Sequence, residues 1–205
     1  MIYGFKKSKL DGTEQVYSAP KTKSLPETFS LRNYLPKAMD QGSNPTCVPC
    51  SLSTNINWNI NLKNGDNKTD NKVKIFEIFE PTGDENGMTF KDALKFLKKE
   101  GVTTSKGNFK IEKYAMIRSA LALKYAIYAN GPCVGGLPVY NTDIDRFWDK
   151  SKGQFLGGHA IAIVGWNEDG FIIRNSWGSS YGDKGYAILP YKDISKFYEI
   201  WTIID

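Results

Sequence analysis

The sequence predicts an α+β protein, because its two halves carry different hydrophobic periodicities. In the first half, apolar residues recur at helical spacing, as Leu52, Ile56 and Ile60 do. In the second half, short apolar runs alternate with glycine-rich turns, a pattern that is typical of strands. Helical patterns that precede the strands, rather than alternating with them, favour α+β over α/β. With 205 residues, 40% of them hydrophobic, the chain can bury a sizeable core as one domain or as two closely packed lobes.

Three helices are predicted before the strand-rich part of the chain. The first begins at Cys47 and ends at the polar tract 64–72, which is predicted to be a surface loop because it is rich in asparagine, aspartate and glycine. The second has Thr89 as its N-cap, an aspartate three residues later, and Gly101 just past its end. The third is predicted over about residues 112–129 and stops at an Asn-Gly-Pro sequence.

Strands are predicted in the last third of the chain. They cover residues 133–140, 159–166, 171–176 and 185–189. Asn167–Gly170 has the composition of a hairpin connection between two of them. The sheet is therefore expected to form from the C-terminal half.

The N-terminal 24 residues differ in composition from the rest of the chain. Residues 1–24 are polar, lysine-rich and without a hydrophobic period, so they are predicted to form an extended arm or a strap. The first nine residues have no apolar stretch behind their lysines, so they are not expected to be a secretory signal. No apolar run approaches the roughly 20 residues that span a bilayer, so the expectation is that the chain does not bind a membrane.

The charge pattern argues against nucleic acid as a partner. The chain has 27 basic and 22 acidic residues, a formal net charge of +5. Its lysines are scattered among aspartates and asparagines, which is typical of a solvated surface rather than of a basic patch.

Three cysteines, Cys47, Cys50 and Cys133, cannot all pair within one molecule. An odd number without a signal peptide indicates a reducing, intracellular compartment and a chemical role for at least one thiol. The expected location is the cytoplasm. Cys133, at the start of a predicted strand, is interpreted as a small buried hydrophobe.

Four residues have the chemistry of a nucleophilic site at neutral pH. The single histidine, His159, begins one predicted strand and Asn175 lies in the next, so an amide can orient a base whose pKa lies near neutrality. Cys47 begins a helix, where thiolates are stabilised, and Gln41 precedes it by six positions. These residues and the sequence around them resemble the papain-like cysteine peptidases. The blocks that carry the resemblance are Leu25–Arg32, Asp40–Cys47, Gly157–Trp166 and Arg174–Tyr186.

The resemblance implies a papain-like fold of two lobes with the active cleft between them. The helical lobe would cover about residues 25–115, and an antiparallel, barrel-like β-lobe about residues 116–205, with 1–24 as an N-terminal extension. It implies a thiol-dependent endopeptidase that acts on peptide or protein substrates and needs no metal or organic cofactor.

The resemblance also implies a role for each residue of the site. Cys47 would form the acyl-enzyme, with His159 as general acid and base. Asn175 would orient the imidazole, and Gln41 would complete an oxyanion hole with the backbone N–H of Cys47. The residues that map to the substrate groove are Gly87, Met88, Gly136, Gly157, Ala160 and Trp177. Gly136, Gly157 and Ala160 are small, so the pocket that they line is expected to prefer bulky apolar or aromatic side chains. Trp177 resembles the indole that shields the histidine–asparagine pair from water in the family.

Val48 stands where tryptophan is usual, and Asn44-Pro45-Thr46 replaces the usual Cys-Gly-Ser, so an active but less efficient site is expected. Two alternatives stay open. One is a papain-like protein whose cleft is blocked and which binds peptides without cutting them, although the intact set of four site residues argues against it. The other is a dithiol oxidoreductase, because residues 47–50 form a C-x-P-C motif. The oxidoreductase hypothesis is disfavoured, because its fold places the motif after a strand, whereas a loop is predicted here. It also leaves Gln41, His159 and Asn175 without a role. Cys50 is interpreted as packing inward, with a disulfide to Cys47 as the competing hypothesis.

The biological role is only broadly constrained by the sequence. Intracellular protein maturation, including the processing of viral or phage proteins, is compatible with these features. A virion-associated location would follow if the chain is of phage origin.

Overall fold

The computed structural model describes residues 3–20, 24–64, 73–142 and 145–204. Its helices are α1 (Cys47–Asn64), α2 (Ile75–Phe79), α3 (Phe90–Lys99) and α4 (Ala120–Asn130). Its strands are β1 (Phe5–Lys6), β2 (Phe29–Ser30), β3 (Met88–Thr89), β4 (Val102–Thr104), β5 (Gly107–Phe109), β6 (Lys113–Met116), β7 (Cys133–Val139), β8 (Gly157–Trp166), β9 (Gly170–Arg174), β10 (Tyr186–Pro190) and β11 (Glu199–Ile204). The α+β prediction is confirmed.

The main sheet is antiparallel and is centred on the ten-residue strand β8. Its order is β10–β9–β8–β7–β11–β6, with β2 also paired to β8. Both α1 and α4 pack against β8, which explains why eight consecutive residues, His159–Trp166, are buried. The sheet thus places the start of β8 next to the first turn of α1.

The first two predicted helices are confirmed, and their caps explain their starting points. The carbonyl of Thr46 accepts the N–H of Cys50 at 3.0 Å, as an N-cap residue does. In α3 the hydroxyl of Thr89 accepts the N–H of Asp92 at 3.1 Å, and Gly101 follows the helix with φ +85°. Asn64 is the last residue of α1, and the remainder of the predicted loop 64–72 lies outside the described residues.

The third predicted helix begins too early. Residues 113–116 form β6, which pairs with β11, and the helix starts only at Ala120, where the hydroxyl of Ser119 accepts the N–H of Ala122. The pairing partner lies more than 80 residues away, and the ring of Tyr114 packs on that of Trp201 with centroids 5.8 Å apart. Tertiary packing therefore overrides the local helical pattern.

The four predicted strands are present with shifted ends. β8 starts two residues earlier than predicted, at Gly157, and β9 ends at Arg174, so Asn175 and Ser176 lie in the turn beyond it. Sequence reasoning missed α2, the β4–β5 hairpin and β11. These elements are short or depend on distant partners, and β11 lies between β7 and the edge strand β6.

The described part of the N-terminal arm, residues 3–20, contains no helix. β1 pairs in parallel with β3, and Val16 forms a parallel bridge with Met116 on β6. The division into lobes at about residue 116 stays a prediction. Phe29–Ser30, which the sequence assigns to the first lobe, pairs with β8 of the main sheet.

Candidate active site

Four elements bring the predicted catalytic residues into one region. Cys47 is the first residue of α1, His159 lies near the start of β8, Asn175 follows β9, and Gln41 lies in the turn before α1. The backbone of Ala160, the neighbour of His159, interacts with the Cys47 thiol. Cys47 and His159 each have 0% of their surface exposed.

A hydrogen bond orients His159. Its Nε2 lies 2.7 Å from Oδ1 of Asn175, and the same oxygen accepts the N–H of Ser176 at 2.8 Å. Because the backbone N–H can only donate, the second bond identifies this atom of Asn175 as the amide oxygen. The neutral His159 ring therefore carries its proton on Nε2, and Nδ1 is the nitrogen that can accept one. Nδ1 is buried and has no hydrogen-bond partner among the described residues.

Two aromatic rings enclose this pair. The ring of Trp177 lies against that of His159 with centroids 4.7 Å apart and an interplanar angle of 30°. Phe147 meets the imidazole edge-on at 5.5 Å. The indole thus lies where a shield against water is expected, and Phe147 is a second wall that the sequence analysis did not identify.

Ser176 links Gln41 to the rest of the site. Its hydroxyl donates to Oε1 of Gln41 at 2.6 Å, and its carbonyl accepts the Gln41 backbone N–H at 2.8 Å. Nε2 of Gln41 donates to the carbonyl of Asn44 at 2.8 Å. One N–H of that amide stays available for a second acceptor. Ser176 was missed as a positioning residue, although it stands between Asn175 and Trp177 in the block Arg174–Tyr186.

Burial keeps both reactive groups neutral in this conformation. It raises the pKa of the Cys47 thiol to about 11, although backbone groups of Ala160 and Gly4 oppose the shift. Burial also lowers the pKa of His159 to about 4, against the effect of its bond to Asn175. At neutral pH this site therefore contains a thiol and a neutral imidazole rather than a thiolate–imidazolium pair.

The N-terminal arm itself covers the predicted substrate groove. The N–H of Met88 donates to the carbonyl of Gly4 at 2.8 Å, and β1 continues this contact along β3. Gly87 has φ +102°, and a methyl group placed there would lie 1.9 Å from the carbonyl oxygen of Gly4. On its other side, Gly4 lies against Pro45, two residues before Cys47.

Phe5 fills the pocket that the small residues form. A methyl group at Gly136 would lie 2.1 Å from Cζ of Phe5, and one at Gly157 would lie 2.8 Å from Cβ of Tyr3. Ala160 belongs to the same buried cluster as Phe5. The structure thus places Gly87, Met88, Gly136 and Gly157 against Tyr3–Phe5. Ala160 shares only the buried cluster of Phe5, and Trp177 lies on His159.

Two further aromatic residues border this pocket. The ring of Phe90 lies 5.4 Å from that of Phe5, and the ring of Tyr198 is stacked on it at 6.2 Å with an angle of 10°. Sequence reasoning missed both, because Tyr198 precedes the unpredicted strand β11 and Phe90 is the first residue of the predicted helix α3.

The other two cysteines lie in the core. Cys50 and Cys133 are buried and free, and burial raises the pKa of each thiol to about 12. The Sγ of Cys50 lies 3.8 Å from the hydroxyl of Thr46, within the first turn of α1. Residues 41–46, before the C-x-P-C motif, form a loop rather than a strand, which disfavours the dithiol-oxidoreductase hypothesis.

Neither a metal site nor a membrane-spanning helix is found in the part of the chain that the structure describes. No group of three or more histidine, cysteine or acidic side chains is placed to bind a metal ion there. Over the same residues, every helix is too short or too polar to cross a bilayer.

Comparison with known proteins assigns the chain to a family. Residues 26–196 match the model for papain family cysteine proteases. The chain therefore belongs to the papain family of cysteine proteases, and the resemblance read from its motifs is confirmed.

Individual relatives match only part of the chain. A gut-specific cysteine proteinase of Caenorhabditis elegans is 33% identical over 87 residues, which are 38% of this chain and 26% of that protein. An uncharacterized peptidase C1-like protein of Acanthamoeba polyphaga mimivirus is 37% identical over 83 residues, 36% of this chain and 27% of that protein. The chain spans about a quarter of the length of these two curated relatives.

Solved structures share the whole fold. The crystal structure of Xylellain, a cysteine protease from Xylella fastidiosa, superposes with a TM-score of 0.82 at 23% identity, covering 98% of this chain and 95% of that one. ProCathepsin B S9 from Trypanosoma congolense gives 0.79 at 17% identity, covering 100% of this chain and 87% of that one. The papain-like fold is therefore confirmed.

Proposed function

We propose that the protein is a thiol-dependent endopeptidase that cleaves peptide bonds through an acyl-enzyme on Cys47. The observation that carries the proposal is the chain of hydrogen bonds from His159 through Asn175 and Ser176 to Gln41, next to the first turn of α1. A base, its orienting amide and an amide donor thus surround one thiol.

In the proposed reaction, Nδ1 of His159 takes the thiol proton, and the Cys47 sulfur attacks the scissile carbonyl carbon. The C–N bond breaks as the imidazolium returns the proton to the leaving amine. His159 then takes a proton from water, whose oxygen attacks the acyl carbon, and the S–C bond breaks as the imidazolium returns the proton to the Cys47 sulfur. Asn175 holds the imidazole by Nε2 in both steps.

The oxyanion of each tetrahedral intermediate is assigned to two donors. One is the backbone N–H of Cys47 at the start of α1, where the helix dipole favours negative charge. The other is the free N–H of the Gln41 side chain, since Ser176 and Asn44 fix the rest of that amide. Loss of one such donor is expected to cost about 10²–10³ in rate.

Catalysis requires Tyr3–Phe5 to leave the groove. While this segment covers the site, burial holds the Cys47 thiol and the imidazole in their neutral forms. Water that enters the open cleft reduces this desolvation, which favours the thiolate–imidazolium pair. A substrate side chain would then take the place of Phe5 between Gly136 and Tyr198.

Selective alkylation tests the proposal. A peptidyl epoxide with an aromatic side chain for the Phe5 pocket should modify Cys47 in the folded protein and leave Cys50 and Cys133 unmodified, as peptide mapping would show. Cys47→Ala should remove both the modification and peptide hydrolysis. Hydrolysis that persists in Cys47→Ala would refute the assignment.

A reducing, intracellular location belongs to the proposal as well. It is supported by three free and buried cysteines. Peptides or proteins are the proposed partners, with no role for nucleic acid, a metal or an organic cofactor.

A further inference from the structure

Tyr181 is a buried residue that lies beside Asn175 and has no role in the reaction proposed above. Its ring meets that of Trp177 edge-on, with centroids 5.3 Å apart. The backbone of Gly185 connects the two residues. Its carbonyl accepts the N–H of Asn175 at 2.9 Å, and its N–H donates to the carbonyl of Tyr181 at 2.7 Å. Tyr181 and Asn175 are therefore held next to each other by one residue.

The Asn175 side chain has one satisfied end and one unsatisfied end. Its Oδ1 lies 2.7 Å from Nε2 of His159 and accepts the N–H of Ser176 at 2.8 Å. Its Nδ2 is buried and has no hydrogen-bond partner among the described residues. A buried donor without an acceptor is unfavourable, so an acceptor close to this nitrogen would stabilise the orientation of the amide.

The Tyr181 hydroxyl can be that acceptor. It donates its own proton to the carbonyl of Asp145 at 2.5 Å, and a phenol oxygen that donates can still accept. Burial raises the pKa of Tyr181, and the Asn175 amide opposes this rise, as a donor close to the phenol oxygen does. The two groups fall short of hydrogen-bond geometry in the present conformation, in which burial keeps His159 neutral.

The carbonyl that accepts the Tyr181 proton belongs to a segment that is fixed by a second contact. Nε1 of Trp148 donates to Oδ2 of the buried Asp193 at 3.0 Å, and the Arg146 guanidinium lies 3.0 Å from the same oxygen. Asp145 is the next residue towards the N-terminus. The Tyr181 hydroxyl is therefore held by a backbone group whose own position is set by a charged side chain.

We propose that Tyr181 is a positioning residue for catalysis, whose hydroxyl accepts the Asn175 amide N–H when His159 becomes charged and thereby stabilises the imidazolium. This inference rests on the proposed endopeptidase function. Positive charge on His159 draws electron density from Oδ1 of Asn175, which makes the N–H of that amide a stronger donor. The bond from Tyr181 to Asp145 is strengthened in the same way. No proton is transferred along this chain of hydrogen bonds.

NMR titration of the imidazole tests the effect on charge. His159 is the only histidine of the chain, so its ring signals are unambiguous, and a Cys47→Ala background removes the coupled titration of the thiol. Tyr181→Phe removes one oxygen and keeps the ring. It should shift the His159 titration midpoint to lower pH by about 0.4–1.1 pH units, because the charged form loses support. An unchanged midpoint would overturn the proposal.

Kinetics test whether the effect passes through Asn175. Tyr181→Phe should lower kcat by about 2- to 13-fold and leave KM unchanged, because the hydroxyl faces Asp145 and Asn175 rather than the groove. In an Asn175→Ala background, the same substitution should have no further effect. An equal loss in both backgrounds would overturn the proposal, since the hydroxyl would then act by another route.

Tyr191→Phe is the matched control. The Tyr191 hydroxyl also donates to a backbone carbonyl, that of Asn167, at 2.6 Å, but it lies outside the site. This variant loses the same kind of hydrogen bond and should match the wild type in kcat and in the His159 titration. A loss equal to that of Tyr181→Phe would show a general effect of stability and would overturn the positioning role.

A measurement on the wild type does not depend on the folding of any variant. A nuclear Overhauser contact should link the side-chain amide protons of Asn175 to the ring protons next to the Tyr181 hydroxyl, and its absence would overturn the proposal. Hydrolysis by the wild type with an unchanged kcat in Tyr181→Phe would overturn the positioning role and keep the peptidase. No hydrolysis and no alkylation of Cys47 in the wild type would overturn the peptidase, and with it the catalytic role of Tyr181.

Discussion

Replacing Ser176 by alanine tests whether Gln41 is an oxyanion donor held in place by its neighbour. The substitution removes the hydroxyl that donates to Oε1 of Gln41 at 2.6 Å. It leaves the backbone bonds of residue 176 to Gln41 and Asn175 in place. The perturbation is therefore confined to the orientation of one side-chain amide.

The expected magnitude follows from the contacts that stay. Nε2 of Gln41 still donates to Asn44, so the amide loses one of two side-chain hydrogen bonds. A typical bond of this kind contributes about 0.5–1.5 kcal/mol, which corresponds to about a 2- to 13-fold loss in kcat/KM. Gln41→Ala removes the donor itself and should cost about 10²–10³-fold. Ser176→Ala should therefore be the milder of the two variants.

A double-mutant cycle provides the assay. Values of kcat/KM for a fluorogenic peptide are compared in wild type, Ser176→Ala, Gln41→Ala and the double variant. The N-terminal arm covers the groove and so lowers kcat/KM in all four proteins. This factor is the same in each protein as long as the substitutions leave the arm in place, so it cancels when the values are divided. Once Gln41 is alanine, loss of the Ser176 hydroxyl should have no further effect, because its partner is gone. An equal loss in both backgrounds would refute the reasoning and indicate that the serine acts through another group.

Four further predictions concern other parts of the site. Cys47→Ala and His159→Ala should each abolish hydrolysis and the double variant should be little worse, whereas Asn175→Ala should retain some activity; additive losses would contradict this. Gly136→Phe should shift the preference of its pocket towards small side chains by about 1–3 kcal/mol, and an unchanged peptide-library profile would count against the pocket assignment. Burial lowers the pKa of His159 from 6.5 to about 4, so the folded protein binds fewer protons than the unfolded chain between these values. Stability is then lost as the pH falls through this window, and His159→Gln should show a smaller drop in melting temperature; an equal drop would argue against it. Mild oxidation should leave Cys47 and Cys50 unlinked, because burial raises the pKa of Cys50 to about 12, and a linked peptide in mass spectrometry would reverse this conclusion.

Features set by neighbours in the sequence were predictable. The caps and apolar spacing of α1 and α3 are local, so their starts at Cys47 and Phe90 follow from the residues themselves. The motif residues His159 and Asn175 could be paired because their flanking sequence resembles a known family. The structure places their side chains 2.7 Å apart.

Features set by distant partners were not predictable. The segment 113–116 has a helical pattern but is a strand, because β11 supplies its hydrogen bonds and Trp201 its packing. The role of Ser176 depends on Gln41, which lies 135 positions away. Neither contact leaves a signal within a local window of sequence.

The sequence by itself determined the α+β class, the starts of two helices and the residue types of a thiol site, because caps, periodicity and motif spacing are local properties. Only the tertiary structure decided that the arm lies in the groove, with Phe5 against Gly136. It also decided the protonation of the site. A pKa depends on burial, and Cys47 and His159 are shielded from water by segments that are far apart in the chain and meet only in the fold.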